Sequence, residues 1–342
     1  MRVAMYYSNS RVLLEEMPVP RIGAGEILMR VNACGICGSD VLEWYRKDRT
    51  PLVLGHEVGG EVVAVGEGVS AYKLGDRISA SHHVPCNTCH YCRSGHPTVC
   101  DTLRVTHFDP GGFAEYVRLP AINVDRGVYP LPAEVSYEEA TFIEPLACVL
   151  RAQRRVGLSP GQSVLVLGSG VAGLLHIQLA RALGAGRIVA TDVLDYRLKA
   201  ALRFGADVAV RSGEDVLARL RQVNDGRLAD LVIVCTGAAP ALELALKAVE
   251  RGGTVLFFAP TGPGYHLPLP VNDVFWRTDV TLATSYAASP ADHYDALELI
   301  HCRRVNVVEM VSHRLPLERA GEGFQMVAGA GECLKVIVHP QA

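Results

Sequence analysis

Four thiols, Cys86, Cys89, Cys92 and Cys100, stand within fifteen residues of one another. Two Cys-x-x-Cys steps and one short excursion can bring four sulfurs onto a single ion, the arrangement of a closed tetrahedral zinc site. Such a site shapes a loop and does no chemistry. Upstream lie Gly35-Ile-Cys37-Gly-Ser39-Asp40 and Gly55-His56-Glu57. A mixed thiolate, imidazole and carboxylate set suits a zinc ion that keeps one position open for water or substrate. Cys34 and Cys37 can also be read as a second structural pair, and a single His-Glu as a solvated loop. Glu144, in Phe142-Ile-Glu-Pro-Leu146, favours the catalytic reading. An acid inside an apolar run is rarely buried without a partner, and a metal would supply one.

A third pattern is Gly168-Ser-Gly170-Val171-Ala172-Gly173, between an apolar run and a helical one. The first glycine allows a tight turn, the second lets the backbone approach a pyrophosphate, and the third permits close helix packing. The helix N-terminus then presents free N–H groups to phosphates. Asp192 follows Gly173 by 19 residues, at the end of the next strand. A carboxylate there accepts from the ribose hydroxyls and repels a 2′-phosphate, so NAD is expected over NADP.

These groups need elements to hold them. Up to about residue 130 the segments are short, Val- and Gly-rich and broken by turns: Glu26–Val31, Gly60–Val65 and Phe113–Leu119 read as antiparallel strands of a small barrel. From Ser163 the rhythm becomes alternating β and α. Ser163–Leu167, Arg187–Asp192, Ala206–Val210, Ala229–Val234 and Gly253–Phe258 read as strands, with helices over 171–183 and 196–204. That alternation demands a parallel sheet. Helices over 292–302 and 317–328 and a strand over 333–338 close the chain.

The 342 residues suffice for two domains, and 49% hydrophobic with 20% charged residues describes an ordinary globular protein. A formal net charge of -3 gives no case for nucleic acid or an anionic membrane. No signal-peptide pattern or bilayer-spanning run is read, so a cytoplasmic protein with reduced, metal-binding thiols is expected. Cys148, Cys235, Cys302 and Cys333 read as small core residues.

Taken together, Cys34-Gly-Ile-Cys-Gly-Ser-Asp40, Gly55-His-Glu57, the four-cysteine loop, Gly112-Phe-Ala-Glu-Tyr116, Ile143-Glu-Pro-Leu146 and the glycine turn resemble the zinc-dependent medium-chain dehydrogenases over the whole chain. The Glu-Pro-Leu form is similar to the sorbitol dehydrogenase branch. The resemblance implies a GroES-like β-barrel catalytic domain (1–148, completed by 287–342) and a Rossmann NAD-binding domain (149–286). It implies a catalytic zinc on Cys37 and His56, with Glu57 and Glu144 as direct or water-mediated ligands, and a structural zinc on Cys86, Cys89, Cys92 and Cys100. Asp40 orients the ligating imidazole, and Ser39 accepts the substrate proton. Gly168, Gly170, Val171, Ala172, Gly173, Asp192, Arg197 (beside the adenine) and Thr236 bind NAD. The implied reaction is reversible oxidation of a secondary alcohol (polyol, cyclitol or sugar alcohol) to a ketone, in a homo-oligomer, tetramer or dimer. Threonine or amino-cyclitol oxidation is the near alternative. A zinc-free reductase would lack Cys37, His56 and the cysteine loop, and a scaffold that keeps the fold without catalysis is more remote. Two departures stand out. Leu42 replaces the histidine through which the branch's proton relay reaches solvent, and Leu282-Ala283 replaces an Arg-Tyr pair that binds polyol.

Overall fold

A computed structural model describes residues 1–342. The chain forms two compact units. One comprises residues 1–147, 288–303 and 307–342; the other comprises 148–287 and 304–306.

The first unit is built on a seven-stranded sheet in the order Val311–Pro316, Lys335–His339, Ile27–Gly35, Glu57–Val65, Arg77–Ala80 and Val128–Pro130, with Tyr116–Leu119 also paired to Ile27–Gly35. Arg11–Glu16, Arg2–Ser8 and Leu52–Val53 form a smaller sheet. All pairings are antiparallel except that of Val311–Pro316 with Lys335–His339. Alternate residues of Ile27–Gly35 are buried until Ala33, after which the strand is buried throughout. At that end Gly35 pairs with Glu57 on one side and Ile337 on the other. The register therefore delivers the residues after Gly35, those around Glu57 and those around Lys335 to one place. Tyr6, Phe113 and Phe324, in ring contact, lie in the apolar core beneath.

The second unit carries a six-stranded parallel sheet in the order Val208–Arg211, Ile188–Asp192, Val164–Leu167, Ala229–Val234, Val249–Phe257 and Thr281–Thr284. Every residue of Val164–Leu167 and Ile188–Asp192 is buried, as continuous apolar strands covered on both faces must be. The order reverses at Val164–Leu167, and the carboxyl ends of strands at such a switch point form a ligand crevice. No helix in either unit is long and apolar enough to cross a membrane.

The architecture is the expected α/β one, with differences at its edges. Ile143–Arg155 is a helix that the sequence reading did not delimit. Pro145 does not break it, because a proline in the first turn removes an N–H with no partner to lose. The element read over 317–328 divides into a tight turn, Leu317–Arg319, and an α-helix, Ala320–Ala328. Cys302, read as a core residue, is exposed. The helix Pro290–His301 ends there, and its thiol donates to Glu298 Oε1 at 2.9 Å instead of packing.

Candidate active site

The pairing of Gly35 with Glu57 sets Cys37, just beyond one strand, beside His56 and Glu57 at the start of the next. Cys37 Sγ, a His56 ring nitrogen and a Glu57 carboxylate oxygen all lie within 4.8 Å of one another. Beneath them is Asp40, wholly buried. Its Oδ2 accepts from the Cys37 amide at 3.0 Å. Its Oδ1 faces His56 Nδ1 at 3.4 Å and Arg46 Nη2 at 3.4 Å. An imidazole held at Nδ1 by a carboxylate presents Nε2 in a fixed orientation, the usual support of a metal-ligating histidine. Burial pushes the Asp40 carboxyl up, but His56, Arg46 and the Cys37 amide outweigh it and hold it below its ordinary range. Burial pushes His56 down, and Asp40 with Cys37 more than reverses this, so its pKa lies well above the ordinary value. The Ser39 amide and hydroxyl both donate to Cys37 Sγ at 3.4 Å. Soft sulfur, imidazole and a nearby carboxylate, oriented from below, fit a zinc ion.

Glu57 has a second commitment. Its Oε2 accepts from Lys335 Nζ, and both side chains are 1% exposed. The ammonium also lies 5.3 Å from the Phe142 ring centroid. Glu144 sits in the first turn of Ile143–Arg155, part-buried, and is not part of the Cys37–His56–Glu57 group.

On the other side of His56 is a file of imidazoles. The His82 ring lies 4.8 Å from that of His56, His83 lies 3.7 Å from His82, and His107 lies 5.3 Å from His83. His83 Nδ1 is 2.8 Å from the Thr106 carbonyl oxygen. Burial pulls His82 well below its ordinary value, with His83 and His56 acting in the same direction.

The four-cysteine loop is separate. Its sulfur atoms lie within 4.8 Å of one another, with Cys89–Cys92 at 3.5 Å, Cys86–Cys100 at 3.6 Å and Cys86–Cys92 at 4.0 Å. A tetrahedron with Zn–S bonds of ~2.3 Å has edges of ~3.8 Å, so the set fits zinc. The Thr88 amide and hydroxyl, bonding to Cys86, pull its thiol down to about 5, toward the thiolate a metal requires.

In the second unit Gly168 adopts φ 95°, and the Cβ of any other residue at position 173 would fall 1.9 Å from the Gly168 carbonyl oxygen. The turn thus runs straight into the helix Val171–Ala182. Asp192 Oδ2 accepts from the Ser169 amide at 2.8 Å and Oδ1 from the Leu194 amide at 3.0 Å, so this acid also ties the loop in place. A Cβ on Gly168 would meet Thr236 Cβ at 3.2 Å, which puts Thr236 beside the turn. The Arg197 guanidinium lies near Gly170, and its Nε is buried without a hydrogen-bond partner. An open glycine cradle and an unpartnered guanidinium nitrogen fit a dinucleotide.

The sequence reading passed over Lys335 and the His82-His83 pair. A lone lysine in the apolar run Cys333–Val338 was the available signal for the first. Two adjacent histidines just ahead of Cys86 were the signal for the second.

Comparison with known proteins places these features in context. Residues 23–133 match the family described as Alcohol dehydrogenase GroES-like domain, and residues 172–301 match Zinc-binding dehydrogenase. Sorbitol dehydrogenase of Bacillus subtilis (strain 168) is 32% identical over 99% of this chain and 97% of its own. L-threonine 3-dehydrogenase of Bacillus licheniformis is 32% identical over 95% of this chain and 94% of its own. Among solved structures, a Sinorhizobium meliloti 1021 protein assigned as a zinc-binding dehydrogenase, bound to NADP, superposes with a TM-score of 0.89. It is 29% identical, over 99% of each chain.

Proposed function

Because the chain belongs to the zinc-dependent medium-chain dehydrogenases, in the sorbitol dehydrogenase-like branch, we propose that it reversibly oxidises a polar secondary alcohol, a polyol or cyclitol, to the ketone with NAD. The observation that carries this is the Cys37–His56–Glu57 gathering with Asp40 beneath it. Cys37 and His56 hold the catalytic zinc and the four-cysteine loop a structural one. Zinc supplies a Lewis acid and NAD the oxidant. The protein's own residues do the rest. Asp40 fixes the His56 ring. The Ser39 hydroxyl stands ready to accept the substrate's proton. Glu57 and Glu144 set the charge around the site, Glu57 with one oxygen already taken by Lys335. Gly168, Gly170, Val171, Ala172 and Gly173 receive the pyrophosphate, Asp192 the ribose, Arg197 the adenine, and Thr236 flanks the turn. In this reading residues 1–148 with 287–342 are catalytic and 149–286 bind NAD, in a cytoplasmic homo-oligomer.

The threonine dehydrogenase relative supports a second reading, oxidation of an amino alcohol. Assay of polyols, cyclitols and amino alcohols for NADH formation separates the two. The expected result is turnover of a neutral polyol, with NAD favoured over NADP by at least ~10-fold in kcat/KM because a 2′-phosphate faces the Asp192 carboxylate. Asp192→Gly should narrow that gap. Equal use of both cofactors by the wild type rejects the assignment.

A further inference from the structure

The helix Pro290–His301 turns one face inward, with Ala296, Leu297 and Ile300 buried. Its last turn presents a different set outside. Glu298, His301 and Cys302 follow the i, i+3, i+4 spacing that aligns side chains along one side of a helix. A carboxylate oxygen, a ring nitrogen and the thiol sulfur of these residues all lie within 4.8 Å of one another. The thiol donates to Glu298 Oε1 at 2.9 Å, and His301 Nδ1 faces Glu298 Oε2 at 3.6 Å. Across the ring, His301 Nε2 faces Glu134 Oε2 at 3.6 Å. Glu134 comes from the segment after Val128–Pro130, and a residue outside the set fixes its place. Arg303 Nη2 donates to the Glu134 carbonyl at 3.0 Å, and Nη1 donates to Glu139. Charge is out of balance here. A neutral imidazole has one N–H, so it donates to only one of the flanking carboxylates and turns a lone pair toward the other. Glu298 also stands in the last turn, at the negative end of the helix. Arg303, the next cation along the chain, is committed to Glu139 and a carbonyl. A thiol, a lone-pair nitrogen and a carboxylate converging at the negative end of a helix call for a cation.

We infer that Glu298, His301 and Cys302 form a third metal site, for a divalent ion of the zinc class. Cys302 Sγ, His301 Nδ1 and one Glu298 oxygen bind the ion, and water completes the tetrahedron. Glu134 stands behind the ring and holds Nε2–H, which keeps the proton off the ligating nitrogen. The same parts in another order stand at Cys37 and His56, where Asp40 backs the ring from its Nδ1 side. Zinc bonds of ~2.0–2.3 Å set tetrahedral donors ~3.3–3.8 Å apart. The 2.9 Å and 3.6 Å gaps to Glu298 lie near that spacing. On binding, the thiol proton passes to solvent and sulfur ligates as the thiolate. Thiolate and imidazole select zinc over magnesium or calcium, which carboxylates alone would not do. The donors are not buried, so they must be ordered as the ion binds, and the site is weaker and more exchangeable than the four-cysteine loop. All four residues belong to the first unit, and the site is independent of the reaction proposed above.

The test is equilibrium dialysis of the zinc-loaded protein against buffered zinc, followed by elemental analysis, for wild type, Cys302→Ser, His301→Gln and Glu134→Gln. None of the three side chains is buried, and thermal melts without added zinc check that each variant is folded. By ~100 µM free zinc, roughly a hundredfold above a micromolar Kd, the wild type should hold about one exchangeable zinc per chain more than Cys302→Ser. His301→Gln should lose the same ion. Glu134→Gln should keep it with affinity weakened roughly 10- to 100-fold, the usual cost of removing the acid behind a ligating imidazole. In parallel, alkylation of Cys302 by iodoacetamide is followed at its own peptide by mass spectrometry. In the wild type it should slow at least ~10-fold with zinc and stay unchanged with magnesium. Equal zinc uptake by wild type and Cys302→Ser overturns the proposal. So does uptake that His301→Gln leaves unchanged, which means an adventitious ion only. Protection of the thiol by magnesium as well as zinc also overturns it, because carboxylates alone then bind the cation.

Discussion

Lys335 lies 1% exposed in a strand whose neighbours Val336, Ile337 and Val338 are wholly buried, and its ammonium meets Glu57 and the Phe142 ring. Two charges taken out of water together are tolerable, whereas one alone is not. Lys335→Met should therefore leave the Glu57 carboxylate uncompensated and destabilise the first unit by roughly 3–5 kcal/mol, read as a large fall in thermal midpoint. The double variant Lys335→Met/Glu57→Gln should recover much of that loss, because no buried charge is left unpaired. If the single variant matched the wild type, the pair would be structurally idle. The same logic makes His82 and Lys335 opposite cases beside the Cys37–His56–Glu57 group. Lys335 is polar because it has a partner inside the protein, and His82 is polar with a buried nitrogen that has none.

At the scale of elements, the short helix Tyr137–Ala140 begins on a full capping box. The Glu139 amide donates to Ser136 Oγ at 3.2 Å, and the Ser136 amide donates to Glu139 Oε2 at 2.8 Å. Arg303, beyond the helix Pro290–His301, reaches the same carboxylate and so ties the late segment of this unit to an early one. Burial pushes the Glu139 carboxyl up, but the Ser136 amide, Arg303 and the Ser136 hydroxyl outweigh it and hold its pKa below the ordinary value. A carboxyl lowered in the folded state adds stability above its unfolded pKa of ~4.3 and loses it as pH falls through the folded value. Glu139→Gln should thus be less stable than wild type at pH 7 by about 1 kcal/mol, the usual worth of a cap. The gap should close as the pH is lowered below ~4. Thermal midpoints of both proteins between pH 3 and pH 8 (range chosen to bracket ~4.3) decide it, and a gap that persists unchanged in acid contradicts the assignment.

For the whole molecule, the two proposed metal sets should respond differently to loss of a ligand. The four-cysteine loop is closed, and its thiols satisfy one another and nearby amides. Binding energy at such a site is folding energy. Cys89→Ala should lower the thermal midpoint and remove about one zinc per chain. Cys37→Ala should remove the other and abolish turnover while the chain stays folded, because Cys37 lies at a strand end with sheet pairings intact behind it. Zinc analysis with thermal melts separates these outcomes. A Cys89 variant of wild-type stability and full metal content would rule out the structural site.

How much of this the sequence determined follows from how far apart the partners are along the chain. The four thiols span one short loop, so spacing alone dictates that they meet, and the glycine turn is likewise set by its place between a buried strand and a helix. The alternation of apolar strands with helices determined the parallel sheet in the same local way. Tertiary structure decided the rest. Cys37 meets Glu57 only because Gly35 and Glu57 are paired across two strands, and a slip of one residue would turn each side chain to the opposite face. Lys335 reaches Glu57 across 278 residues, a contact that requires the last strand to return beside the early one. His82 comes to lie on His56 through the pairing of Arg77–Ala80 with Glu57–Val65. None of these three approaches leaves a mark in spacing, because each depends on the register of a sheet whose strands are far apart in the chain.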